Sequence, residues 1–101
     1  MVEIQKSIRM VVESGSVEFG MRSGLMRALK GDAKMILIAS NCPKTTREQI
    51  ENAAQKSNLQ VKNVGFTSLE LGSICGKPYP VSILTILEAG NSDILSSSAS
   101  F

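Results

Sequence analysis

The sequence predicts an α/β fold in which a four-stranded sheet lies between two layers of helices. Helical and extended patterns alternate four times along the chain, as they do in layered α/β domains. The run MILIA at 35–39 is continuously apolar, which is typical of a strand covered on both faces. The length of 101 residues suits one modest core. We therefore expect a three-layer α/β/α sandwich that forms a single domain over residues 1–101.

The first predicted helix covers residues 2–14 and leads into a short strand. Its apolar residues recur at helical spacing, at Ile4, Ile8, Val11 and Val12. Gly15 is the expected end of this helix, because glycine commonly follows the last helical residue. The stretch VEF at 17–19 is the first strand, and it ends at Gly20.

A second helix is predicted over residues 21–30, and the central strand follows it over residues 34–40. Gly31 suits the end of this helix, because glycine readily adopts the left-handed conformation in which many helices terminate. The apolar residues that we expect this helix to bury are Met21, Leu25, Met26 and Leu29.

Two T-x-x-E patterns predict the starts of the last two helices. In such a capping box the hydroxyl and the carboxylate each accept a hydrogen bond from an unpaired amide of the first turn. Thr45 with Glu48 opens a helix that continues to about residue 57. Thr67 with Glu70 opens a shorter helix.

Two further strands complete the expected sheet. The stretch VKNV at 61–64 is the third strand, and VSILTILE at 81–88 is the fourth. The stretch GKPYP at 76–80 precedes the fourth strand as an irregular loop, since its prolines and glycine disfavour regular structure. The serine-rich tail follows, and we expect about residues 96–101 to fray.

The residue content argues against catalysis and against a metal site. The chain has no histidine, the commonest general base and metal ligand. The two cysteines form no close-spaced motif, and paired carboxylates at a catalytic spacing are missing. No apolar run is long enough to cross a membrane, and the N-terminus does not resemble a signal peptide. We expect a cytoplasmic protein with no cofactor, no small-molecule substrate and no membrane partner.

Cys42 keeps one enzymatic alternative open. It follows the central strand in the stretch NCP, and ligands of α/β proteins bind off strand ends. A reactive thiol needs a base or a strongly positive setting, which Lys34, Lys44 and Arg47 would supply. Because no histidine can act as its base, we favour a small structural residue over a nucleophile.

Positive charge is concentrated in one window of the sequence. Residues 20–47 contain six basic residues and a single acid, Asp32, so this window carries +5 although the whole chain carries +2. The basic residues are Arg22, Arg27, Lys30, Lys34, Lys44 and Arg47. Such asymmetry is typical of a surface that binds a polyanion, although ordinary solvated helix faces produce the same pattern.

The turn from the first strand into the second helix is a candidate anion site. Gly20 stands where exposed backbone amides begin a helix, and such amides favour a negative charge. Arg22 lies in the first helical turn, where the helix dipole disfavours a cation unless an anionic ligand offsets it. The alternative is that Gly20 only makes a tight turn. The spacing matches neither a P-loop nor a dinucleotide-binding motif.

Asn41 and Tyr79 are further candidates at loop positions. Asn41 ends the central strand and offers a donor and an acceptor to a base edge, although it also suits a turn before proline. Tyr79 is the only tyrosine and lies between two prolines, where its ring either stacks on an unpaired base or packs on the core. If the last strand is antiparallel to the others, Gly20, Asn41 and Tyr79 meet at one edge of the sheet.

Three longer stretches resemble one family of RNA-binding proteins. The stretches FGMRSGLMRALKGDAKMILIASNCP, TSLELGSICGKPYPV and ILEAGNSDIL are similar to archaeal and eukaryotic large-subunit ribosomal proteins of the thirty-e family. The similarity covers nearly the whole chain in order. The sister seven-Ae family typically has GANE where this chain has GMRS, so the resemblance favours the thirty-e family.

This resemblance implies a mixed four-stranded sheet and binding of ribosomal RNA at a kink-turn, a sharply bent internal loop with splayed bases. Three loops at one edge of the sheet would make the contacts. By position, the RNA-binding residues are Gly20, Met21, Arg22 and Ser23 in the first loop, Asn41 in the second, and Gly76, Lys77, Tyr79, Pro80 and Val81 in the third.

The resemblance also implies a role without catalysis. The protein would be a structural constituent of the large ribosomal subunit, located on cytoplasmic ribosomes beside other ribosomal proteins and monomeric when free. A kink-turn protein that acts outside the ribosome, in RNA modification or autoregulation, fits the same residues and stays open as an alternative.

Overall fold

The described part of the chain alternates helix and strand four times, as the sequence predicts. The structure is a computed structural model that describes residues 4–57 and 59–90, so the predicted tail at 96–101 lies outside the described residues. The helices are α1 (Ile4–Ser14), α2 (Met21–Lys30), α3 (Lys44–Ser57) and α4 (Ser68–Ile74). The strands are β1 (Ser16–Phe19), β2 (Met35–Ile38), β3 (Gln60–Asn63) and β4 (Ile83–Glu88).

The strands form one mixed sheet in the order β1–β4–β2–β3. Strand β4 is antiparallel to both β1 and β2, whereas β2 and β3 are parallel. The register places Thr85 of β4 opposite Glu18 on one side and Ile36 on the other. Because β1, β2 and β3 point the same way, they all end at the edge of the sheet where β4 begins.

Helices cover both faces of the sheet, which confirms the predicted three-layer sandwich. One core lies between the sheet and helices α1 and α4, and its members include Ile8, Val11, Leu37, Leu71 and Leu84. The second core lies between the sheet and helices α2 and α3, and its members include Ala28, Ile36, Ile38, Ile50 and Ile83. Strand β2 is buried along its whole length and supplies side chains to both cores, as its apolar run predicts.

The two predicted capping boxes have different outcomes. The box at α4 is confirmed, because the Thr67 backbone N–H donates to Glu70 Oε1 over 2.9 Å and the Glu70 N–H donates to Thr67 Oγ1 over 3.3 Å. The box at α3 is wrong, since this helix begins at Lys44 and Thr45 lies inside its first turn. The Pro43 carbonyl already accepts the first helical hydrogen bond, so the helix starts one residue before the expected cap.

The predicted inward face of α2 is confirmed at Leu25, which is half-buried against the second core, and is wrong at its other three residues. Met21, Met26 and Leu29 are exposed, and the buried residues of this helix are Gly24 and Ala28. The reason is the close approach of α2 to the sheet, because a Cβ at Gly24 would lie only 2.7 Å from Cγ2 of Ile83. Small residues therefore make this contact, and of the four larger apolar side chains only Leu25 packs against the core.

Candidate nucleic-acid interface

Three connections meet at the edge of the sheet where β4 begins, which we call the loop end. They are the β1–α2, β2–α3 and α4–β4 connections. Backbone hydrogen bonds join them directly, since the Gly20 N–H donates to Ile83 O over 3.0 Å and the Ala39 N–H donates to Ser82 O over 2.9 Å. The antiparallel direction of β4 is confirmed, and it gathers the three candidate loops in one place.

Gly20 begins α2 at the loop end with an open backbone. Its φ of 103° and ψ of 163° belong to a region that side-chain-bearing residues rarely adopt. A Cβ placed on Gly20 would meet no atom of the described residues within 4 Å. The helix has no side-chain cap and no acidic residue in its first turn. The first amides of α2 are therefore open to an outside acceptor.

The residues that follow Gly20 present one unpaired cation. Arg22 is exposed and has no hydrogen bond or ion pair with any described residue. Met21 is 39% exposed, and its sulfur accepts a 3.7 Å hydrogen bond from Thr46 Oγ1 of α3. Ser23 is half-buried. Of this first loop, Arg22 is the side chain best placed for an anionic ligand.

Asn41 holds the second loop against the start of α4. Its Oδ1 accepts a hydrogen bond of 2.7 Å from the Ser68 backbone N–H. The side chain is exposed, and no described residue accepts a hydrogen bond from its Nδ2 group. One of the two lone pairs of the oxygen is therefore already used, and the Nδ2 group is the part of Asn41 most available to a ligand.

Tyr79 is exposed in the third loop on a fixed backbone. Its exposed fraction is 47%, so the ring is not a core aromatic. The backbone around it packs tightly on α4, because a Cβ at Gly72 would collide with the Tyr79 carbonyl oxygen. The Lys77 N–H donates to Gly72 O over 2.9 Å, and the Val81 N–H donates to Ser68 O over 2.9 Å. The loop therefore lies along α4 and presents the ring outward.

The other third-loop candidates have different surroundings. Lys77 Nζ lies 5.0 Å from the centroid of the Phe19 ring, a cation–π contact that joins the third loop to the end of β1. Gly76 lies at the far end of α4, in a cleft between α4 and α1, and Pro80 is exposed. Val81 is 2% exposed and belongs to the core, so any RNA contact at this residue would involve its backbone.

Three residues that shape this site are absent from the sequence prediction. Phe19 supports Lys77, Ser68 donates to Asn41, and Gly72 makes room for the Tyr79 backbone. Gly72 carries a usable signal, because a glycine inside a predicted helix costs stability unless close packing requires it. The other two contacts join residues remote in sequence and leave no local pattern.

The charge of the sequence window is only partly available at the loop end. Arg27 forms a two-pronged pair with Glu18 at 2.9 and 3.0 Å and a second pair with Asp32 at 2.7 Å. Lys30 ends α2, and Lys34 precedes β2, so both lie at the other end of the sheet. The basic residues at or near the loop end are Arg22, Lys44, Arg47 and Lys77.

The structure disfavours the thiol chemistry kept open for Cys42. The residue is 6% exposed, and burial raises the pKa of its thiol, whereas the charge of Arg47 lowers this pKa by less. Burial also raises the pKa of Cys75, to about 11. Within residues 4–57 and 59–90, no group of three acidic, cysteine or histidine side chains suits a metal ion. Nor does any helix of those ranges have the length and apolarity to span a membrane.

The fold and the loop end define a small α/β/α protein whose candidate binding surface is built from loops rather than from a deep pocket. The chain belongs to the family described as ribosomal protein L7Ae/L30e/S12e/Gadd45, whose model matches residues 2–96. This membership agrees with the thirty-e resemblance.

Two relatives show which members of that family the chain is similar to. The large ribosomal subunit protein eL30 of Methanococcus maripaludis is 43% identical over 94 residues, which are 93% of this chain and 89% of that protein. The eL30 of Methanosarcina mazei is 38% identical over 98 residues, which are 97% of this chain and 91% of that protein. The resemblance to thirty-e proteins is confirmed, and so is the expectation that the chain is not an enzyme, since these relatives are ribosomal proteins.

A solved structure supports the fold. A protein with unknown function from Bacillus halodurans matches with a TM-score of 0.81 over 95% of each chain, at 17% sequence identity. At that identity the match supports the α/β fold and nothing more specific.

Proposed function

We propose that this protein is a structural constituent of the large ribosomal subunit and binds ribosomal RNA at a kink-turn through its loop end. The eL30 relatives support the ribosomal part of the proposal. One observation carries the RNA-binding part: Arg22, Asn41 and Tyr79 come from three separate loops and are exposed around the same end of the sheet.

Each of these groups suits a different part of a bent RNA. The open backbone at Gly20 lets a phosphate or base edge approach the first amides of α2. Arg22 supplies a charged planar fork for a phosphate or a base edge. Asn41 donates from Nδ2 to an acceptor on an unpaired base. The exposed ring of Tyr79 stacks on an extruded base, which requires no particular base identity.

Contacts between the loops reduce the cost of ordering them when RNA binds. The second loop is joined to α4 through Asn41 and Ser68, and the third loop is joined to the end of β1, just before the first loop, through Lys77 and Phe19. A surface that is already arranged loses less conformational entropy on binding. The protein therefore acts on the RNA by stabilising the bent shape and performs no chemistry.

Electrostatic attraction contributes to binding, but less than the sequence window suggests. Four cations lie at or near the loop end, and Lys44 is itself 3.9 Å from the carboxylate of Glu48. Each neutralised phosphate adds about −0.7 to −0.9 to the slope of log K against log salt. A slope no steeper than about −3 is therefore expected for this surface.

The same proposal covers assembly and location. The chain acts as one RNA-binding domain over residues 1–101, is monomeric off the ribosome and lies beside other ribosomal proteins in the large subunit. Its location is the cytoplasmic ribosome. RNA is the partner that the loop end contacts.

The experiment that tests the proposal identifies the RNA bound in cells. The full chain is crosslinked to RNA in living cells and purified under denaturing conditions, and the attached fragments are sequenced. Fragments of large-subunit ribosomal RNA that fold as a kink-turn are expected, and a Tyr79→Ala chain provides the matched control. Recovery of only small non-ribosomal RNAs would contradict the ribosomal role. Recovery of ribosomal fragments without a kink-turn would contradict the proposed binding mode.

A further inference from the structure

Leu69 is an exposed apolar side chain that the three-loop surface does not include. Among the large apolar residues of the described chain it is the most exposed, at 68%. It occupies the second position of α4, which the β3–α4 connection brings to the loop end. An exposed leucine on its own needs no explanation, so its surroundings decide whether it has a role.

The backbone on both sides of Leu69 is held in place. The Ser68 N–H donates to Asn41 Oδ1, and the Ser68 carbonyl accepts from the Val81 N–H. Glu70 belongs to the capping box with Thr67, and this box fixes the first turn of α4. The exposure of Leu69 is therefore a property of a rigid turn and not of a frayed helix end.

The helical spacing places Leu69 beside the third loop. Successive residues of a helix are rotated by about 100°, so Leu69 lies about 60° around α4 from Gly72. Gly72 faces the backbone of Tyr79 and Pro80, as the collision of its added Cβ shows. Leu71 and Cys75 point to the core, on another side of the helix. Leu69 thus flanks the segment that carries the exposed tyrosine.

We propose that Leu69 is a further RNA contact, which forms one apolar platform with Tyr79 and packs against the sugar and base of an unpaired nucleotide beside the stacked one. This inference rests on the proposed function and names a fourth contributing segment, the first turn of α4. Ser68 bonds to Asn41, and Gly72 packs against the Tyr79–Pro80 backbone, so the turn that carries Leu69 is continuous with the candidate interface.

Little negative charge lies next to Leu69, so the repulsion of RNA phosphates there is weak. Glu70 is its only acidic neighbour in α4, and one oxygen of that carboxylate accepts from the Thr67 N–H. No acidic group lies in the third loop. A contact through Leu69 is apolar, so its contribution to RNA affinity should not depend on salt concentration. The contribution of Arg22 should depend on it.

The test compares two exposed leucines that lie in different places. Leu69→Ala and Leu29→Ala remove the same atoms from helices, and Leu29 is 63% exposed near the C-terminal end of α2, away from the loop end. Binding of the full chain is measured with a hairpin RNA that contains a kink-turn and with the same hairpin fully paired. Affinity is measured at two salt concentrations, and the melting temperature of each variant is recorded.

We expect Leu69→Ala to weaken binding of the kink-turn hairpin about three- to tenfold, as the loss of a buried apolar contact implies. The loss should be the same at both salt concentrations, and Leu29→Ala should bind like the parent chain. Both variants should keep the parent melting temperature, because both side chains are exposed.

Two results would overturn the inference, and they are distinguishable. If Leu69→Ala binds as tightly as the parent chain while Tyr79→Ala binds weakly, the RNA site stands and Leu69 belongs to another surface, such as one for a protein. If the parent chain does not prefer the kink-turn hairpin over the paired one, the proposed function fails and the inference fails with it.

Discussion

The two ends of the sheet use the same residue type, glycine, in opposite ways. At the end where β1 begins and β4 finishes, a Cβ on Gly15 would collide with the Glu88 carbonyl oxygen, and one on Gly90 would lie 2.5 Å from the Ser14 oxygen. At the loop end, a Cβ on Gly20 would lie more than 4 Å from every other atom that the structure describes outside its immediate neighbours. Glycine at a crowded position serves packing, whereas glycine with a positive φ beside open space leaves room for a ligand. The sequence alone does not show which of these two roles a glycine has.

The same contrast holds for arginine within one helix. Arg27 lies toward the C-terminal end of α2 and is held by Glu18 and Asp32. Arg22 lies in the first turn of α2 and has no partner among the described residues. A satisfied arginine contributes to the fold, and an unsatisfied one at an uncapped helix start is available to an anion.

The largest effects are expected from alanine at the two kinds of glycine. Gly15→Ala forces backbone atoms apart and should lower the free energy of unfolding by about 1–3 kcal/mol or more. Gly20→Ala should lower it by about 1–3 kcal/mol, because alanine is strained at this φ. Only Gly20→Ala should also lower RNA affinity, since its methyl group occupies the open space at the loop end. Urea unfolding and RNA titration measure the two quantities.

The control for this pair is the fraction of folded protein in each titration. Affinities are compared at a temperature where both variants are folded by circular dichroism. Equal losses of affinity in Gly15→Ala and Gly20→Ala would show that the two ends are not functionally distinct.

Tyr79→Ala should lower the affinity for a kink-turn RNA by about tenfold or more, because stacking on a base is worth about 1–3 kcal/mol. The fold should keep nearly all its stability, since a 47% exposed ring is not a core side chain. Tyr79→Phe should retain most of the affinity, because the aromatic face matters more than the hydroxyl. Fluorescence anisotropy with a labelled RNA measures the affinities. A Tyr79→Ala chain that melts far below the parent would show that the ring stabilises the fold.

Glutamine at the two arginines should separate binding from stability. Arg22→Gln should weaken RNA binding and reduce the salt slope by about 0.7–0.9 if one phosphate contact is lost. Arg27→Gln should leave that slope unchanged and lower stability, because Glu18 and Asp32 lose their partner. A change of the salt slope in Arg27→Gln and none in Arg22→Gln would reverse the assignment.

The Arg27 pair also predicts a dependence on pH. The hydrogen bond from Arg27 lowers the pKa of Glu18 below its ordinary 4.5, against a smaller opposing effect of burial. A carboxylate with a lowered pKa stabilises the fold above its unfolded pKa, and this stabilisation is lost as the pH falls through the folded value. The stability difference between the parent chain and Arg27→Gln should therefore be present at neutral pH and shrink in acid. Melting temperatures at several pH values measure it.

The elements that could be predicted from the sequence are those set by local pattern. The apolar run of β2 and the capping box of Thr67 and Glu70 depend on neighbours in the chain, and both were predicted. The meeting of three loops at one edge of the sheet followed from the antiparallel direction of β4. The buried face of α2 could not be predicted, because the close contact of Gly24 with Ile83 replaces the apolar stripe that periodicity suggests.

The sequence predicted which residues are exposed at the candidate site better than it predicted the contacts that each of them makes. Arg22, Asn41 and Tyr79 are exposed around the predicted edge. The sequence could not show that the Asn41 oxygen already has a partner or that Arg27 is paired, because both facts depend on contacts across 27 and 9 residues of chain. Nor could the sequence show that the side chain of Val81, which the family resemblance includes among the RNA contacts, is buried in the core.

The smallest expected effect lies between the two ends, at Thr85 in the middle of β4. Its hydroxyl is fully buried beneath α2, and Oγ1 has no hydrogen-bond partner among the described residues. A buried hydroxyl without a partner costs free energy that an apolar group of the same shape avoids. Thr85→Val should therefore raise the free energy of unfolding by about 1 kcal/mol while keeping the branched shape that suits a strand. Urea unfolding measures this gain, and RNA affinity should stay at the parent value because the change touches neither end. A loss of stability would mean that the hydroxyl has a partner, and a loss of affinity would mean that the sheet centre and the loop end are coupled.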